Sequence, residues 1–469
     1  MLAVLAALVI DSVVQGAVRE VVSMQESLTS RCSVAEYRQL VRIQDGRKIW
    51  TDAVQTALRD HEVVILPPSA DIYYVDRTIL FPSNRRLEAS GAVVRLVDGM
   101  RCVMFRNVHA QDGTLRPISG KDRDRNISIV GGRFEDWCTK RQGYGRSGRF
   151  DETERRIGNY YGVSSLFFFN NCDALVVRDV TIAHAGGFAV QTGDGDGHVY
   201  ERIRFDRCYA DGLHLNGNLG RVLARDISGT VGDDLVALNA YDWLKSSVNF
   251  GPQHDIVCEN LRLTADPEFK TYPAIRIQPA KFRYEDGTIV DCAISNVVFR
   301  NVRGITTFKA YLQTPRYEIG QKPEWSAVGS GGNLHFEDIV IDLEHPIDRI
   351  GQYVTSDPLR GHFGAFEFGA NLGDVFLNNI DIRFHAGRYP LSHLVVVGPK
   401  SCVLVEDGRR IEVFDPYVSC SVDRLELRRI RVAGDGVDEL VHEVSFDDVN
   451  GDGLSSGYGR VVRKEMKWQ

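Results

Sequence analysis

Three aspartates, Asp211, Asp233 and Asp234, have the residue type and the spacing that acid–base chemistry requires. Asp211 and Asp234 are 23 residues apart, and each lies three residues before the second residue of a short apolar strand pattern. Crowding of like charges raises the pKa of one carboxyl group, and hydrolysis of a glycosidic bond needs one protonated and one ionised carboxyl group. We therefore expect an acid–base site if the surrounding elements bring these side chains together. Turn formation is the alternative role for any one of them, because aspartate is common in turns.

The elements that must position these aspartates are repeated strands. An eight-residue pattern recurs along the chain, with apolar residues alternating around a central Asn, Asp or Arg. Its copies are residues 127–134, 175–182, 198–205, 222–229, 256–263, 292–299, 334–341, 375–382 and 425–432. Alternation at period 2 predicts strands, and a recurring unit predicts solenoid coils that carry loop insertions. A coil of 23 residues would place Asp211 and Asp234 at equivalent positions in adjacent coils.

A second short strand follows most copies of the repeat, and its outward side chains are predicted to form columns. Neighbouring coils stack about 4.8 Å apart, so that equivalent outward residues line up. The first predicted column is Ala189, His214, Ala237, Arg276, Tyr311 and Glu367, and the second is Gln191, Asn216, Asn239, Gln278, Gln313 and Gly369. A ligand-binding face is one interpretation of these columns. The alternative is a solvated face whose amide ladders stabilise the stacked coils.

The residues expected to bind a substrate come from these columns and their surroundings. They are His214, Asn216, Asn239, Asp242, Trp243, Arg276, Gln278, Lys309, Tyr311 and Glu367. Trp243 could stack on a sugar ring, and core packing is its alternative role. Lys309 lies one coil after Arg276 and could supply a further cation.

The predicted organisation is one solenoid rather than three compact domains. Residues 50–60 have helical periodicity and are expected to cap the open end of the core. Residues 1–47 form an N-terminal segment that could be a signal peptide or a helix, residues 48–435 the β-helix, and residues 436–469 a C-terminal tail or cap. Residues 137–162 predict a long loop over one face.

Composition excludes several classes of protein. The chain has 469 residues, of which 43% are apolar, and its net charge is −7. The chain therefore lacks the excess of positive charge that is typical of nucleic-acid-binding proteins. No run of 18 apolar residues is present, so no membrane-spanning helix is expected. The sequence leaves export and retention in the cytoplasm both open, and it predicts no oligomeric state.

The chain resembles a known family in its repeat and in the segments Ala210–Leu213 and Val231–Leu238. These features are similar to the pectin-lyase-like superfamily, and most of all to polygalacturonase-type glycoside hydrolases of family 28, whose motifs are N-T-D, G-D-D, G-H-G and R-I-K. The resemblance implies an all-β fold, a single-stranded right-handed parallel β-helix with an N-terminal capping helix. It also implies hydrolysis of a plant or microbial polysaccharide or oligosaccharide.

The roles of the three aspartates follow from this resemblance. Asp233 would be the general acid, Asp211 and Asp234 would hold and activate water, and the reaction would invert the anomeric configuration without a cofactor. Tyr209-Ala-Asp211 departs from the family's N-T-D.

The remaining motifs match the family less well. Arg276 corresponds to the arginine of R-I-K, whereas Gln278 replaces its lysine. A neutral or differently decorated polysaccharide is therefore as plausible a substrate as galacturonate. His254 is a doubtful counterpart of the G-H-G histidine, because it begins a different strand.

Two other functions fit the same fold. A polysaccharide lyase or epimerase would use Ca²⁺ held by carboxylates to acidify a proton beside a uronate, with Arg276 as the base. A non-catalytic glycan-binding β-helix would bind sugar without turnover. In each case the expected partner is a polysaccharide or an oligosaccharide.

Overall fold

In the described part of this computed structural model, the helices all lie in the N-terminal region of the chain. The structure describes residues 2–100, 102–110, 122–141, 165–241, 249–269, 271, 274–284, 286–311, 328–342, 363–383, 392–398, 402–406, 409–413, 419–433, 439–444 and 459–467. Within these residues the helices are α1 (Leu2–Glu26), a 3-10 helix (Val34–Leu40) and α2 (Thr51–Asp60).

Short strands form most of the remaining described structure. The first are β1 (Arg31–Ser33), β2 (Arg42–Gln44), β3 (Arg47–Ile49), β4 (Val63–Ile65), β5 (Tyr73–Val75), β6 (Ile79–Phe81), β7 (Arg85–Glu88), β8 (Val93–Leu96), β9 (Phe105–Asn107), β10 (Asp124–Val130) and β11 (Arg133–Glu135). The next are β12 (Ser165–Asn170), β13 (Cys172–Arg178), β14 (Thr181–Ala183), β15 (Phe188–Gly193), β16 (Gly195–Asp196), β17 (Val199–Cys208), β18 (Leu213–Asn216), β19 (Leu219–Val231), β20 (Val236–Asn239), β21 (Gln253–Leu263), β22 (Ala274–Ile277) and β23 (Ala280–Arg283). The last are β24 (Ile289–Cys292), β25 (Ile294–Arg303), β26 (Thr307–Tyr311), β27 (Ser330–Asp342), β28 (Phe363–Gly369), β29 (Asn371–Arg383), β30 (Ser392–Val397), β31 (Cys402–Glu406), β32 (Arg409–Val413), β33 (Cys420–Ala433), β34 (Val441–Glu443) and β35 (Gly459–Lys467).

The strands stack into two long, mainly parallel sheets, because each coil forms hydrogen bonds with the coil before it and the coil after it. The site sheet contains, in order, β6, β9, β12, β15, β18, β20, β22, β26, β28, β30 and β34. The long sheet has twenty strands and includes the consecutive pairs from β17 through β19, β21, β25, β27, β29 and β33 to β35. This stacking confirms the predicted parallel solenoid.

The central residue of each repeat bends the chain, because its backbone is left-handed. The residues Asp179, Arg202, Asp226, Asn260, Asn301, Asp338, Asn379 and Arg429 have φ between 49° and 60°. Asn and Asp tolerate this conformation better than most residues with a side chain, which explains why they recur there. Their side chains also link successive coils, as Asn260 Nδ2 donates to Asp226 Oδ1 at 2.8 Å.

One predicted copy of the repeat, residues 292–299, was placed five residues too early. Val297 pairs with both Ile256 and Leu334, so the structural copy is 297–304 and its centre is Asn301. Asn296 belongs to a neighbouring column, where its Nδ2 donates to Asp255 Oδ1 at 2.9 Å. The two asparagines are both left-handed, and so residue type alone did not distinguish them.

Apolar side chains fill the interior of the coils and repeat with the coil spacing. The rings of Phe308 and Phe366 stack with centroids 5.1 Å apart, and those of Phe299 and Phe336 with centroids 5.6 Å apart. Helix α2 covers one end of this core with buried residues that include Val54. The predicted capping helix is thus confirmed, beginning one residue later than the sequence indicated.

Helix α1 lies across the outer face of the long sheet. Its buried residues, which include Ile10 and Val14, pack against Val199, Val257 and neighbouring strand residues. The described residues contain no helix that is long and apolar enough to cross a membrane. The predicted divisions at residues 47/48 and 435/436 stay a prediction, although strands on the far side of each pair with the stacked sheets.

Candidate active site

The three aspartates meet where adjacent coils enter the site sheet. Asp211 precedes β18, and Asp233 and Asp234 precede β20, the next strand of the sheet. The backbone N–H of Gly212 donates to the Asp234 carbonyl at 3.0 Å, which fixes the two entrances side by side. One carboxylate oxygen from each aspartate lies within 4.8 Å of the others. The predicted convergence of the three side chains is present in the structure.

Each carboxylate has a cationic or imidazole partner. Arg141 Nη1 donates to Asp233 Oδ2 at 2.7 Å, and Arg276 Nε lies 2.9 Å from Asp234 Oδ2. His214 Nδ1 lies 2.6 Å from Asp211 Oδ2. The three carboxylates therefore differ in their surroundings.

These surroundings drive the three pKa values apart. Burial raises the pKa of Asp234 to about 6, against the opposing attraction of Arg276. Burial and the charge of Asp233 also raise the pKa of Asp211. Burial would raise the pKa of Asp233 as well, but the positive charges of Arg141 and other cations hold it below its ordinary value. Asp233 is thus the most readily ionised of the three, and Asp234 keeps its proton into the mildly acidic range.

The strand register corrects two members of the first predicted column. His214 pairs with Gln191 and Ala237, and the row continues through Arg276, Lys309 and Glu367. Gln191 and Lys309 therefore occupy the places that the sequence assigned to Ala189 and Tyr311. A shift of two residues keeps every side chain on the same face of a strand, so the alternation pattern did not reveal it.

This register places Lys309 beside the aspartates. It is adjacent to Arg276 in the row and only 1% exposed, so two basic side chains stand next to each other beside the aspartates. Glu367 is half-buried at the following position. Tyr311 pairs with Gly369 through its backbone, while Asp242, Trp243 and Gln313 lie outside the described residues.

The predicted amide residues are buried and support the site from within the sheet. Asn216 Nδ2 lies 3.3 Å from His214 Nε2, and Gln191 Nε2 donates to Asn216 Oδ1 at 2.9 Å. Asn239 pairs with Asn216 across the strands. Gln278 Nε2 donates to the Tyr241 carbonyl at 2.8 Å. Whether any of these amides contacts a substrate stays a prediction.

Two residues of the site escaped the sequence analysis. Arg141 belongs to the segment after β11 and reaches Asp233 across 92 positions of sequence, for which no local pattern exists. Phe188 stacks on His214 with ring centroids 3.7 Å apart, and the register of β15 against β18 was the signal that could have indicated it. His254 lies on the long sheet, where it pairs with Gly220, so it is not part of this site.

Comparison with known proteins identifies the type of fold. No family model matches the chain, and no curated protein matches it. The tailspike protein of E. coli bacteriophage HK620, solved in complex with a pentasaccharide, superposes with a TM-score of 0.51 at 12% identity. That match covers 88% of this chain and 65% of the tailspike, so this chain spans just under two thirds of it. The chain folds as a right-handed parallel β-helix.

A second solved β-helix is similar over nearly the whole length of both chains. The exopolygalacturonase of Thermotoga maritima has a TM-score of 0.49 at 11% identity, with 97% of this chain and 96% of that chain covered. At such identities the likeness concerns the fold alone. Evidence for the chemistry of this β-helix comes from its own side chains.

The carboxylate cluster of this β-helix is a poor fit for a divalent metal ion. Three carboxylate oxygens within 4.8 Å could act as ligands, because hard cations prefer oxygen. Two of the carboxylates already face guanidinium groups at 2.7 and 2.9 Å, and a metal ion would have to displace or repel those charges. The arrangement suits proton transfer better than metal binding.

Proposed function

We propose that this β-helix is a glycoside hydrolase acting on an acidic oligosaccharide or polysaccharide that lies across strands β18 to β28 of the site sheet. The observation that carries the proposal is the cluster of Asp211, Asp233 and Asp234, in which one carboxyl group is held ionised and another holds its proton. Acid–base cleavage of a glycosidic bond requires this division of roles.

Asp234 is the proposed general acid. Its Oδ2 faces Arg276, whereas its Oδ1 is buried and has no hydrogen-bond partner among the described residues. The proton of the Asp234 carboxyl group would pass to the leaving-group oxygen as the glycosidic C–O bond breaks. Asp233, ionised and 16% exposed, would take a proton from the attacking water. Asp211 would position that water together with His214.

This assignment exchanges two roles relative to those implied by the family resemblance, in which Asp233 donates the proton. The reason is Arg141, whose ion pair with Asp233 stabilises the ionised carboxylate. An acid must be protonated before it can donate, and Asp234 meets that condition at higher pH than Asp233 does.

The charges around the cluster favour an acidic sugar. Arg141, Arg276 and Lys309 all act on Asp233, so three positive groups surround two ionised carboxylates once Asp234 is protonated. The excess positive charge would attract a uronate or another anionic substituent. Lys309 thereby takes the place of the lysine that the sequence lacks at Gln278.

Stereochemistry separates two forms of the mechanism. The resemblance implies inversion, for which the two carboxyl groups are usually about 6.5–9.5 Å apart, whereas retaining enzymes have them about 5–5.5 Å apart. One oxygen from each carboxylate lies within 4.8 Å of the others, a closest approach that fits either outcome. The anomeric configuration of the first product decides between the two.

A panel of acidic and neutral oligosaccharides tests the proposal, with product mass and anomeric configuration as the readouts. On an accepted substrate, we expect Asp234→Asn and Asp233→Asn each to lower the rate by about 10²–10⁴-fold while leaving the circular dichroism spectrum unchanged. Asp338→Asn, at an exposed repeat position, is the matched control and should retain full activity. Full activity in either active-site variant would refute the proposal.

The same panel addresses the other two functions. Unsaturated, ultraviolet-absorbing products that disappear with a chelator would indicate a lyase. Saturable binding without turnover would indicate a glycan-binding β-helix. This alternative is considered because the tailspike was solved in complex with a pentasaccharide.

A further inference from the structure

We propose that a second site, in the cavity between α1 and the long sheet, binds a small singly charged carboxylate with an apolar tail. The cavity has a volume of about 190 Å³. Because a cavity of about 150 Å³ holds benzene, which has six non-hydrogen atoms, this space holds about eight. The proposal concerns a different surface from the candidate active site and does not depend on the proposed function.

The apolar part of the cavity has two walls of valine. Its lining includes Val18, Val21 and Val22 from α1 and Val130, Val176 and Val199 from the sheet. A short alkyl chain between these walls would bury its surface from water, which is the main source of affinity for such a tail.

Two arginines supply the charged part. Arg86 on β7 and Arg178 on β13 both line the cavity and are separated by the single strand β10. Both Nε atoms are buried and make no hydrogen bond to a described residue. Each arginine has a carboxylate neighbour in the described structure: Arg86 Nε lies 3.0 Å from Glu88 in its own strand, and Arg178 Nε lies 3.9 Å from Asp179.

The mutual repulsion of the two arginines adds a reason to expect an anion. Burial lowers the pKa of Arg86 despite the attraction of Glu88, and the charge of Arg178 lowers it further. A carboxylate between the guanidinium groups would relieve this repulsion and accept charge-assisted hydrogen bonds from them.

The remaining lining residues limit the charge of the ligand. Glu26 and Glu201 also border the cavity, in addition to Glu88 and Asp179 beside the arginines, so four negative groups lie near the two arginines. A doubly charged phosphate would meet more repulsion there than a carboxylate does. The site therefore favours a monoanion.

Isothermal titration calorimetry of the full chain with hexanoate tests this site. We expect saturable binding of hexanoate, with weaker binding of 1-hexanol, which lacks the charge, and of acetate, which lacks the tail. Arg178→Gln should weaken hexanoate binding about tenfold, because it removes one charge-assisted contact. Arg204→Gln, at an exposed position outside the cavity, is the matched control and should bind hexanoate normally.

A cavity-filling variant distinguishes loss of the binding site from loss of the fold. Val22 is 39% exposed, so Val22→Phe can fill the space without disturbing the core, and it should abolish binding while the melting temperature stays within a few degrees. Absence of saturable hexanoate binding to the wild-type chain would overturn the proposal. Equal binding by wild type, Arg178→Gln and Val22→Phe would overturn it as well.

Discussion

Replacing Asp234 by asparagine should stabilise the protein at neutral pH while it removes activity. Asp234 is 1% exposed, and its pKa is raised from 3.8 to about 6 mainly because burial disfavours the charged form. A neutral side chain of the same shape avoids that cost and keeps an amide oxygen or nitrogen facing Arg276.

The size and pH range of this effect follow from the pKa shift. A shift from 3.8 to about 6 corresponds to about 3 kcal/mol at full ionisation. Because the folded-state pKa is the higher one, the folded wild type binds more protons than the unfolded chain between these two values. Its stability therefore falls as pH rises through that interval. Asparagine does not titrate, so the advantage of Asp234→Asn should be absent below pH 3.8 and approach about 3 kcal/mol above pH 6 as an upper bound.

Chemical denaturation at several pH values measures this difference. The free energy of unfolding of Asp234→Asn and wild type should be equal near pH 3.5 and diverge in favour of the variant up to pH 7.5. Asp338→Asn, on the exposed repeat column, should show no such divergence. The reasoning is refuted if Asp234→Asn is less stable than wild type at pH 7.5, or if their difference does not change with pH.

Three further predictions concern the site and the coil geometry. Arg141→Ala should raise the pKa of Asp233, so the acidic limb of the pH–rate profile should move to a pH about one unit higher. Arg141→Lys should return the limb to its wild-type position. An acidic limb that does not move in Arg141→Ala would contradict the proposed effect of the ion pair. Gly229→Ala should lower the free energy of unfolding by more than about 3 kcal/mol, because the added Cβ would collide with the carbonyl oxygen of Phe205. The control is Gly46→Ala, where φ is 74° and the space around the glycine is open. In chemical denaturation this control should lower the free energy of unfolding by only about 1 kcal/mol. Exhaustive treatment with EDTA should leave hydrolysis unchanged, and loss of activity that is restored by Ca²⁺ would argue for the lyase instead.

The repeat made most of the fold predictable from the sequence. Alternating apolar residues around a central Asn, Asp or Arg predicted stacked strands, and the same central residues prove to be the left-handed bends of the coils. The prediction failed at residues 292–299, because Asn296 and Asn301 both satisfy the local pattern. Only the pairing of Val297 with Leu334 distinguishes them.

The candidate site was predictable where it depends on one coil and unpredictable where it depends on distant segments. The 23-residue separation sufficed to bring Asp211 and Asp234 together, because adjacent coils repeat the same geometry. Tyr311 was predicted for the place in the column that Lys309 occupies, since a two-residue slip leaves the facing of every side chain unchanged. Arg141 lies in the segment 137–162 that was predicted as a loop over one face, but no pattern in the sequence indicated its contact with Asp233.

The sequence by itself determined that this chain folds as a parallel β-helix and that three aspartates converge, because both depend on a short-range period that the coils repeat. Only the tertiary structure decided how protons divide among those aspartates. That division depends on burial and on charges such as those of Arg141 and Arg276, which reach the cluster from separate coils. The electrostatic energy of a carboxylate depends on distances through space, and the order of residues along the chain does not encode those distances.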